Sequence, residues 1–142
     1  MTQVDFYLVQ HGQRESFVCR LVQKAFALGN DVFVHTASET DARMIDELLW
    51  TFQQGSFVPH EIVTEATPLR DDCPVLLGYG AEPQGRRSVL INLDHEVPVF
   101  FSRFERVLEV LGDDDAQRTA ARTRYSFYRD RGYALEYHQL NT

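Results

Sequence analysis

The sequence predicts an α/β fold: a single three-layer α/β/α domain with a mostly parallel central sheet, Rossmann-like or P-loop-like but without a phosphate loop. Strand-like and helix-like segments alternate over the first 55 residues, an order that favours right-handed crossovers between parallel strands. Two later segments are short apolar runs of the kind that form buried strands. The length of 142 residues suffices for one core, so we expect residues 1–142 to form a single domain.

The first four elements follow from apolar periodicity and from helix-end signals. Val4–Val9 is a short, mostly apolar run and is predicted to be the first strand. The next apolar residues recur at helical spacing up to Gly29, which ends a helix, and the β-branched run Val32–Thr36 is the second strand. Ser38 followed by Asp41 starts a second helix in the manner of a capping box. The predicted inner face of this second helix consists of Met44, Ile45, Leu48, Leu49 and Phe52.

The middle of the chain is predicted to hold a loop, two strands and a third helix. After Gly55, residues 56–72 contain two prolines and little periodicity, so we expect a loop there. Val75–Gly80 and Ser88–Leu93 are predicted to be buried strands joined by a polar turn. Pro98 is predicted to start the third helix. This helix is predicted to end at Gly112. Its apolar residues are Phe100, Phe101, Phe104, Val107, Leu108 and Leu111.

The last helix and strand carry clear end signals. Asp113–Asp115 suit the positive N-terminal end of a helix, and Gly132 is placed to end it. Beyond the glycine, Tyr133, Leu135 and Tyr137 alternate with polar residues, which predicts a closing strand.

Composition excludes several classes of protein. No apolar run approaches the roughly 20 residues of a membrane span, and no basic leader precedes the first apolar run, so we expect neither a membrane segment nor a signal peptide. Cys19 and Cys73 are too far apart for a metal knuckle, and two free thiols indicate the reducing cytoplasm. A net charge of −7 argues against tight, direct binding of nucleic acid over a broad face.

Motifs for catalysis and for cofactors are weak. The GYG of Gly78–Gly80 is followed by no third glycine and no helix, so we interpret it as a turn between strands, and no GxxxxGK[ST] sequence exists. The five histidines lack zinc-site spacing, and Cys73 and Ser88 have no base nearby in sequence. We therefore expect no catalytic residue, metal or cofactor. A nucleotide- or phosphate-binding α/β enzyme is the alternative function.

The stretch from Arg118 to Tyr133 is basic and aromatic in an otherwise acidic chain. It holds five arginines and one aspartate, a net charge of +4. On a helix, Arg118, Arg122, Tyr125 and Arg129 fall on one narrow stripe. We therefore predict a binding site for a small partner that is acidic and partly apolar. A solvated helix face and a direct nucleic-acid site are the competing interpretations.

A second candidate surface follows the second helix. Trp50 points about 100° away from the predicted core stripe of that helix. Phe57, Val58 and Pro59 follow in the predicted loop. Together these residues indicate an exposed apolar patch of the kind that marks a partner surface, against the simpler reading of a satellite of the core.

These segments carry a family resemblance that runs essentially end to end. The sequence resembles the chi subunit family of the bacterial DNA polymerase III holoenzyme, whose members are accessory proteins of the clamp loader. The resemblance rests on FYLV, DELLW, SFVPH, VLINL and, most specifically, ARTRYSFYRDRGY.

The resemblance implies a non-enzymatic replication adaptor with two binding sites. Chi proteins bind the acidic C-terminal tail of single-stranded DNA-binding protein, which ends in Pro-Phe with a free carboxylate, and they bind the psi subunit of the clamp loader. Ser126 departs from the family, in which a lysine can stand there, and so removes one electrostatic contact. By position, the implied tail-binding residues are Leu111, Arg118, Arg122 and Tyr125, joined by Arg129 through the helical stripe. The implied psi-binding residue is Phe57 by position, with Trp50 and Val58 as its neighbours.

Overall fold

The computed structural model describes residues 2–10, 12–51, 58–63, 73–80, 82–83 and 88–140. Within these ranges the chain forms seven strands, three α-helices and a short 3-10 turn at Phe101–Arg103. The elements are β1 (Gln3–Val9), α1 (Arg14–Ala27), β2 (Val32–His35), α2 (Glu39–Thr51), β3 (His60–Val63), β4 (Val75–Gly78), β5 (Val89–Asn92), β6 (Arg106–Gly112), α3 (Asp115–Asp130) and β7 (Ala134–Gln139).

The strands form one sheet in the order β3-β4-β2-β5-β6-β1-β7, and every pairing is parallel. Side chains of α1 and α2, such as Val18 and Ile45, pack on one face of the sheet, whereas Ala121 and Tyr128 of α3 pack on the other. The predicted three-layer α/β/α class with a mostly parallel sheet is therefore confirmed. Among the described residues, no helix combines the length and apolar character needed to cross a membrane.

The first two helices begin and end close to the predicted positions. Gly29 has a φ of 83°, the left-handed conformation that lets the chain leave α1. The backbone amide of Asp41 donates to Ser38 Oγ at 3.2 Å, which provides the expected cap for α2. The inner face of α2 differs in one respect: Met44 is 44% exposed, because Ala42 occupies the buried position one turn before Ile45. Phe52 and Gly55 lie outside the described residues.

The prediction of a helix from Pro98 to Gly112 is wrong. Only the 3-10 turn follows Pro98, and Arg106–Gly112 forms β6, between β5 and β1 in the sheet. A strand buried on both faces is apolar at consecutive positions, so its sequence shows no alternation and fits a helical pattern equally well. The strand also contains the fully buried Glu109, and a charge within a buried strand is unusual.

Two further expectations about the middle of the chain need correction. The predicted loop 56–72 contains β3, a short edge strand at His60–Val63 that pairs with β4. The strands β4 and β5 both exist, but they are not neighbours joined by a simple turn, because β2 lies between them in the sheet. All three strands run parallel, so the connection from β4 to β5 crosses over β2.

Candidate functional site

The last helix is fixed at both ends by the signals that the sequence shows. Asp114 is the N-cap, and its Oδ1 accepts from the Gln117 amide at 2.9 Å. Gly132, with a φ of 79°, ends the helix and turns the chain into β7. The face formed by Ala121 and Tyr128 is buried against the sheet, so the neighbouring stripe of basic residues lies along the edge of the buried face.

Four of the five predicted tail-binding residues meet at one pocket. The pocket has a volume of about 420 Å³ and lies between α3 and the edge strand β7; we call it the α3–β7 pocket. The predicted residues at the pocket are Leu111, Arg118, Arg122 and Tyr125, and the remaining lining residues are Phe6, Leu8, Ala121, Tyr137 and Gln139.

Arg129 does not line the α3–β7 pocket. It lies on the same helical stripe, but eleven residues after Arg118, which is about 16 Å along the helix axis. Its Nε lies 3.4 Å from Asp130 Oδ1 in an exposed ion pair. Its predicted role in binding therefore depends on a ligand that extends beyond the pocket.

The pocket combines an apolar floor with a cationic wall. Phe6, Leu8 and Leu111 are buried and form the floor, and the ring of Tyr125 packs at 5.4 Å from that of Phe6. Arg118 and Arg122 are exposed, and neither takes part in the ion pairs formed among the described residues. Such a site can hold an apolar group on the floor while a guanidinium binds a carboxylate beside it.

The five remaining lining residues were not predicted from the sequence, and two of them come from β7. Tyr137, which is 54% exposed, and Gln139 lie on β7 and face α3 across the pocket. In the β1–β7 register Tyr137 pairs with Phe6 and Gln139 with Leu8, so these side chains lie on the same face of the sheet. The alternation along the predicted strand was visible, but the pairing with β1 was not.

A buried polar cluster lies under the helix, next to the pocket. Glu109 of β6 is fully buried, and its carboxylate accepts from Arg124 Nε at 2.9 Å and from the Tyr128 hydroxyl at 2.7 Å. The side-chain amide of Asn92 donates to both carboxylate oxygens, at 3.0 and 3.1 Å. Arg124 also donates to the carbonyl oxygen of His95 at 3.0 Å. Arg124 is therefore a structural cation and does not add to the charge of the pocket.

Desolvation dominates the electrostatics of this cluster. Burial raises the pKa of Glu109 above its ordinary value, while the Arg124 guanidinium and the hydrogen bonds from Tyr128 and Asn92 oppose that rise. All the described partners of the carboxylate are donors, which is the environment that an ionised glutamate needs. The same burial, followed by the charge of Glu109, raises the pKa of Tyr128.

The crevice at the carboxyl ends of β5 and β6 is filled by side chains. In open α/β sheets this edge is where small ligands usually bind. Here Arg14 Nη1 donates to Gln117 Oε1 at 3.0 Å, and Arg14 Nη2 donates to the Leu93 carbonyl at 3.3 Å. The remaining cavity is about 10 Å³, room for about one water and not for a phosphate group. The geometry of this edge therefore disfavours the nucleotide-binding alternative.

The second predicted surface is only partly as expected. Trp50 is 54% exposed and borders a groove of about 710 Å³ between α1 and α2, whose other lining residues include Met44 and Leu48. Val58 is 3% exposed and belongs to the core, so the expectation that it forms part of an exposed patch is wrong. Phe57 lies outside the described residues.

Comparisons with known proteins agree with each other. Residues 1–136 match the family model described as "DNA polymerase III chi subunit, HolC". The chain is 39% identical over 143 aligned positions to DNA polymerase III subunit chi of Pseudomonas aeruginosa, with 99% of this chain and 98% of that protein covered. It is 35% identical to the Haemophilus influenzae protein of the same name, with 85% and 83% covered.

A solved structure shares the fold without close sequence similarity. The C-terminal domain of the DEAD-box protein Dbp5 matches 98% of this chain and 90% of its own length, with a TM-score of 0.68 at 10% identity. At that identity the match describes only the arrangement of the sheet and helices.

Proposed function

Since the chain belongs to the DNA polymerase III chi subunit family, we propose that it is a non-catalytic replication adaptor of the clamp-loader complex. In this proposal the α3–β7 pocket binds the acidic C-terminal tail of single-stranded DNA-binding protein. A separate surface at Trp50 binds the psi subunit. The observation that carries the proposal is the convergence of two exposed arginines with an apolar floor in one pocket.

The chemistry of the pocket fits a peptide that ends in Pro-Phe. The terminal phenylalanine ring would lie on the floor formed by Phe6, Leu8 and Leu111, between Tyr125 and Tyr137. Its carboxylate would receive a two-pronged hydrogen bond from the guanidinium of Arg122 or Arg118. Acidic residues upstream would extend along the stripe towards Arg129.

The charge of the whole chain supports a protein ligand over a nucleic acid. With a net charge of −7, the chain as a whole repels a phosphate backbone, and Arg124 of the basic helix α3 is already bound to Glu109. An acidic adaptor thus does not compete for the DNA that its partner coats. Electrostatic attraction confined to the stripe favours encounter with an acidic tail and weakens with salt.

The experiment that tests this proposal is a titration of the full chain with a labelled acidic peptide ending in Pro-Phe, followed by fluorescence anisotropy. We expect saturable binding, and no comparable binding of a peptide with the same residues in scrambled order. Equal binding of the two peptides would mean that the site is only a non-specific cationic surface. A shift assay with protein-free single-stranded DNA at physiological salt tests the nucleic-acid alternative, and we expect no complex there.

Replacing Trp50 with alanine should weaken binding of the psi subunit without changing affinity for the tail peptide. Exposed aromatic anchors at the centre of an interface often contribute about 2 kcal/mol or more. Trp50 is 54% exposed, and its ring is tilted by 53° against that of His60 with the centroids 4.6 Å apart, so the fold should tolerate the change. Co-purification with psi and peptide anisotropy, measured on the same preparation, check the two effects. Loss of both interactions in a folded variant would contradict the model of two separate surfaces.

A further inference from the structure

We propose that Asp5, Glu136 and His138 form a binding site for a divalent transition-metal cation, with zinc as its best-fitting ion. The site lies on the face of the sheet opposite to the α3–β7 pocket, where β1 and the edge strand β7 run side by side. Sequence spacing gave no sign of this site, because its ligands come from opposite ends of the chain and only strand pairing brings them together.

The distances from His138 Nε2 to the two carboxylate oxygens suit tetrahedral coordination. His138 Nε2 lies 3.4 Å from Asp5 Oδ1 and 3.6 Å from Glu136 Oε2, and all three ligand atoms lie within 4.8 Å of one another. Zinc binds imidazole nitrogen and carboxylate oxygen at about 2.0–2.2 Å, which places neighbouring ligands of a tetrahedron about 3.3–3.6 Å apart. Three protein ligands would leave the fourth position to water.

The surroundings hold two of the ligands in place. Arg106 Nε donates to Asp5 Oδ2 at 3.0 Å, which orients the buried carboxylate and leaves Oδ1 directed at His138. The ring of His138 stacks on that of Tyr7, with centroids 4.7 Å apart and planes at 17°. Groups that orient metal ligands in this way are a regular part of metal sites. Glu136 is exposed, so an ion can reach the site from solvent.

Charge and ligand type favour zinc over the common hard cations. Two carboxylates and the Arg106 guanidinium give a local charge of −1 when His138 is neutral, so a dication is attracted. One imidazole among the ligands favours zinc or another first-row metal over magnesium and calcium, which prefer oxygen alone. The nitrogen that would bind zinc, His138 Nε2, is also the atom that faces the two carboxylates, so a proton and a zinc ion cannot occupy it together.

A bound zinc ion would join the edge strand β7 to β1. Glu136 and His138 alternate on β7 with Tyr137 and Gln139, which face the α3–β7 pocket on the other side. A ligand that binds only the folded state raises its stability by mass action. Zinc should therefore raise the melting temperature of the full chain.

The test is calorimetric titration of the untagged full chain with zinc chloride, in parallel with His138→Ala, Glu136→Gln and, as a control, the exposed His95→Ala. We expect one zinc ion per chain for the wild type and for His95→Ala. Zinc affinity should fall by roughly 100-fold or more in His138→Ala, since losing even a group that only orients a ligand costs about 10–100-fold. The thermal stabilisation by zinc should disappear with it.

Two results would overturn the proposal. One is the absence of stoichiometric zinc binding by the wild type under conditions in which it is folded. The other is unchanged zinc binding and stabilisation in a folded His138→Ala variant, which would assign the metal to other groups. A parallel titration with magnesium chloride tests selectivity. If magnesium bound as tightly as zinc, the imidazole could not be one of the ligands.

Discussion

Replacing Arg124 with alanine should lower the free energy of unfolding by about 3–5 kcal/mol, the usual cost of removing one partner of a buried ion pair. The large effect is expected because Glu109 is fully buried and would lose its only described cationic partner. The Tyr128 hydroxyl and the Asn92 amide would remain as donors, but they carry no charge. Urea denaturation followed by circular dichroism measures the change.

Arg122→Ala is the matched control for this experiment. It removes the same side chain two residues earlier on the same helix, from an exposed position. Substitutions at such positions usually change stability by no more than about 0.5 kcal/mol. Similar stabilities of the Arg124 and Arg122 variants would contradict the view that Arg124 is a structural cation.

The loss of stability caused by Arg124→Ala should also depend on pH in a defined direction. Loss of the guanidinium removes the main effect opposing desolvation, so the folded-state pKa of Glu109 should rise further above about 4.3, the value for an exposed glutamate. A carboxyl whose pKa is raised by folding stabilises the protein below its unfolded pKa, and this contribution is lost as the pH rises. The difference in stability between wild type and variant should therefore be smaller near pH 4 than at pH 7.

Replacing Arg122 with alanine should weaken binding of the acidic tail peptide by about 1.5–3 kcal/mol, the range for a hydrogen bond to a charged group. Arg122 lines the α3–β7 pocket together with Leu111 and Tyr125, and it is free to bind the terminal carboxylate. The fold should be unaffected, as the stability control already requires. Peptide anisotropy at fixed salt measures the loss.

Arg129→Ala provides the comparison within the same stripe. Because Arg129 lies outside the pocket and pairs with Asp130, we expect a smaller loss that nearly disappears at high salt. The loss in Arg122→Ala should persist at high salt, since a direct hydrogen bond is screened less than a distant charge. Equal and equally salt-sensitive losses would mean that the peptide senses only the overall charge of α3.

Local sequence signals were sufficient for the fold class and for most helix ends. Ser38, Asp114 and Gly132 act where capping and left-handed glycine rules place them. The central strand β6 could not be predicted in the same way. Its apolar residues face both layers, and Glu109 is compatible with burial only because α3 and β5 supply its partners.

The candidate site was predictable on one side only. Helical periodicity alone places Arg118, Arg122 and Tyr125 on one stripe, and these three do line one pocket. The same periodicity places Arg124 about 200° away from Arg122, on the buried face with Ala121 and Tyr128. It cannot show that a buried arginine is tolerated there, because that depends on the ion pair with Glu109 of β6. The wall formed by Tyr137 likewise depends on the register between β1 and β7, which is a tertiary property.

The proposed function depends on a carboxylate clamp, in which a guanidinium of the α3–β7 pocket holds the terminal carboxylate of an acidic tail. Its most direct test is calorimetry of the wild-type chain with two peptides that end in Pro-Phe, one with a free C-terminal carboxylate and one amidated. We expect one-to-one binding of the free acid, and binding of the amide weaker by roughly tenfold or more, which corresponds to about 1.4 kcal/mol or more. Equal affinities for the two peptides would contradict the carboxylate clamp.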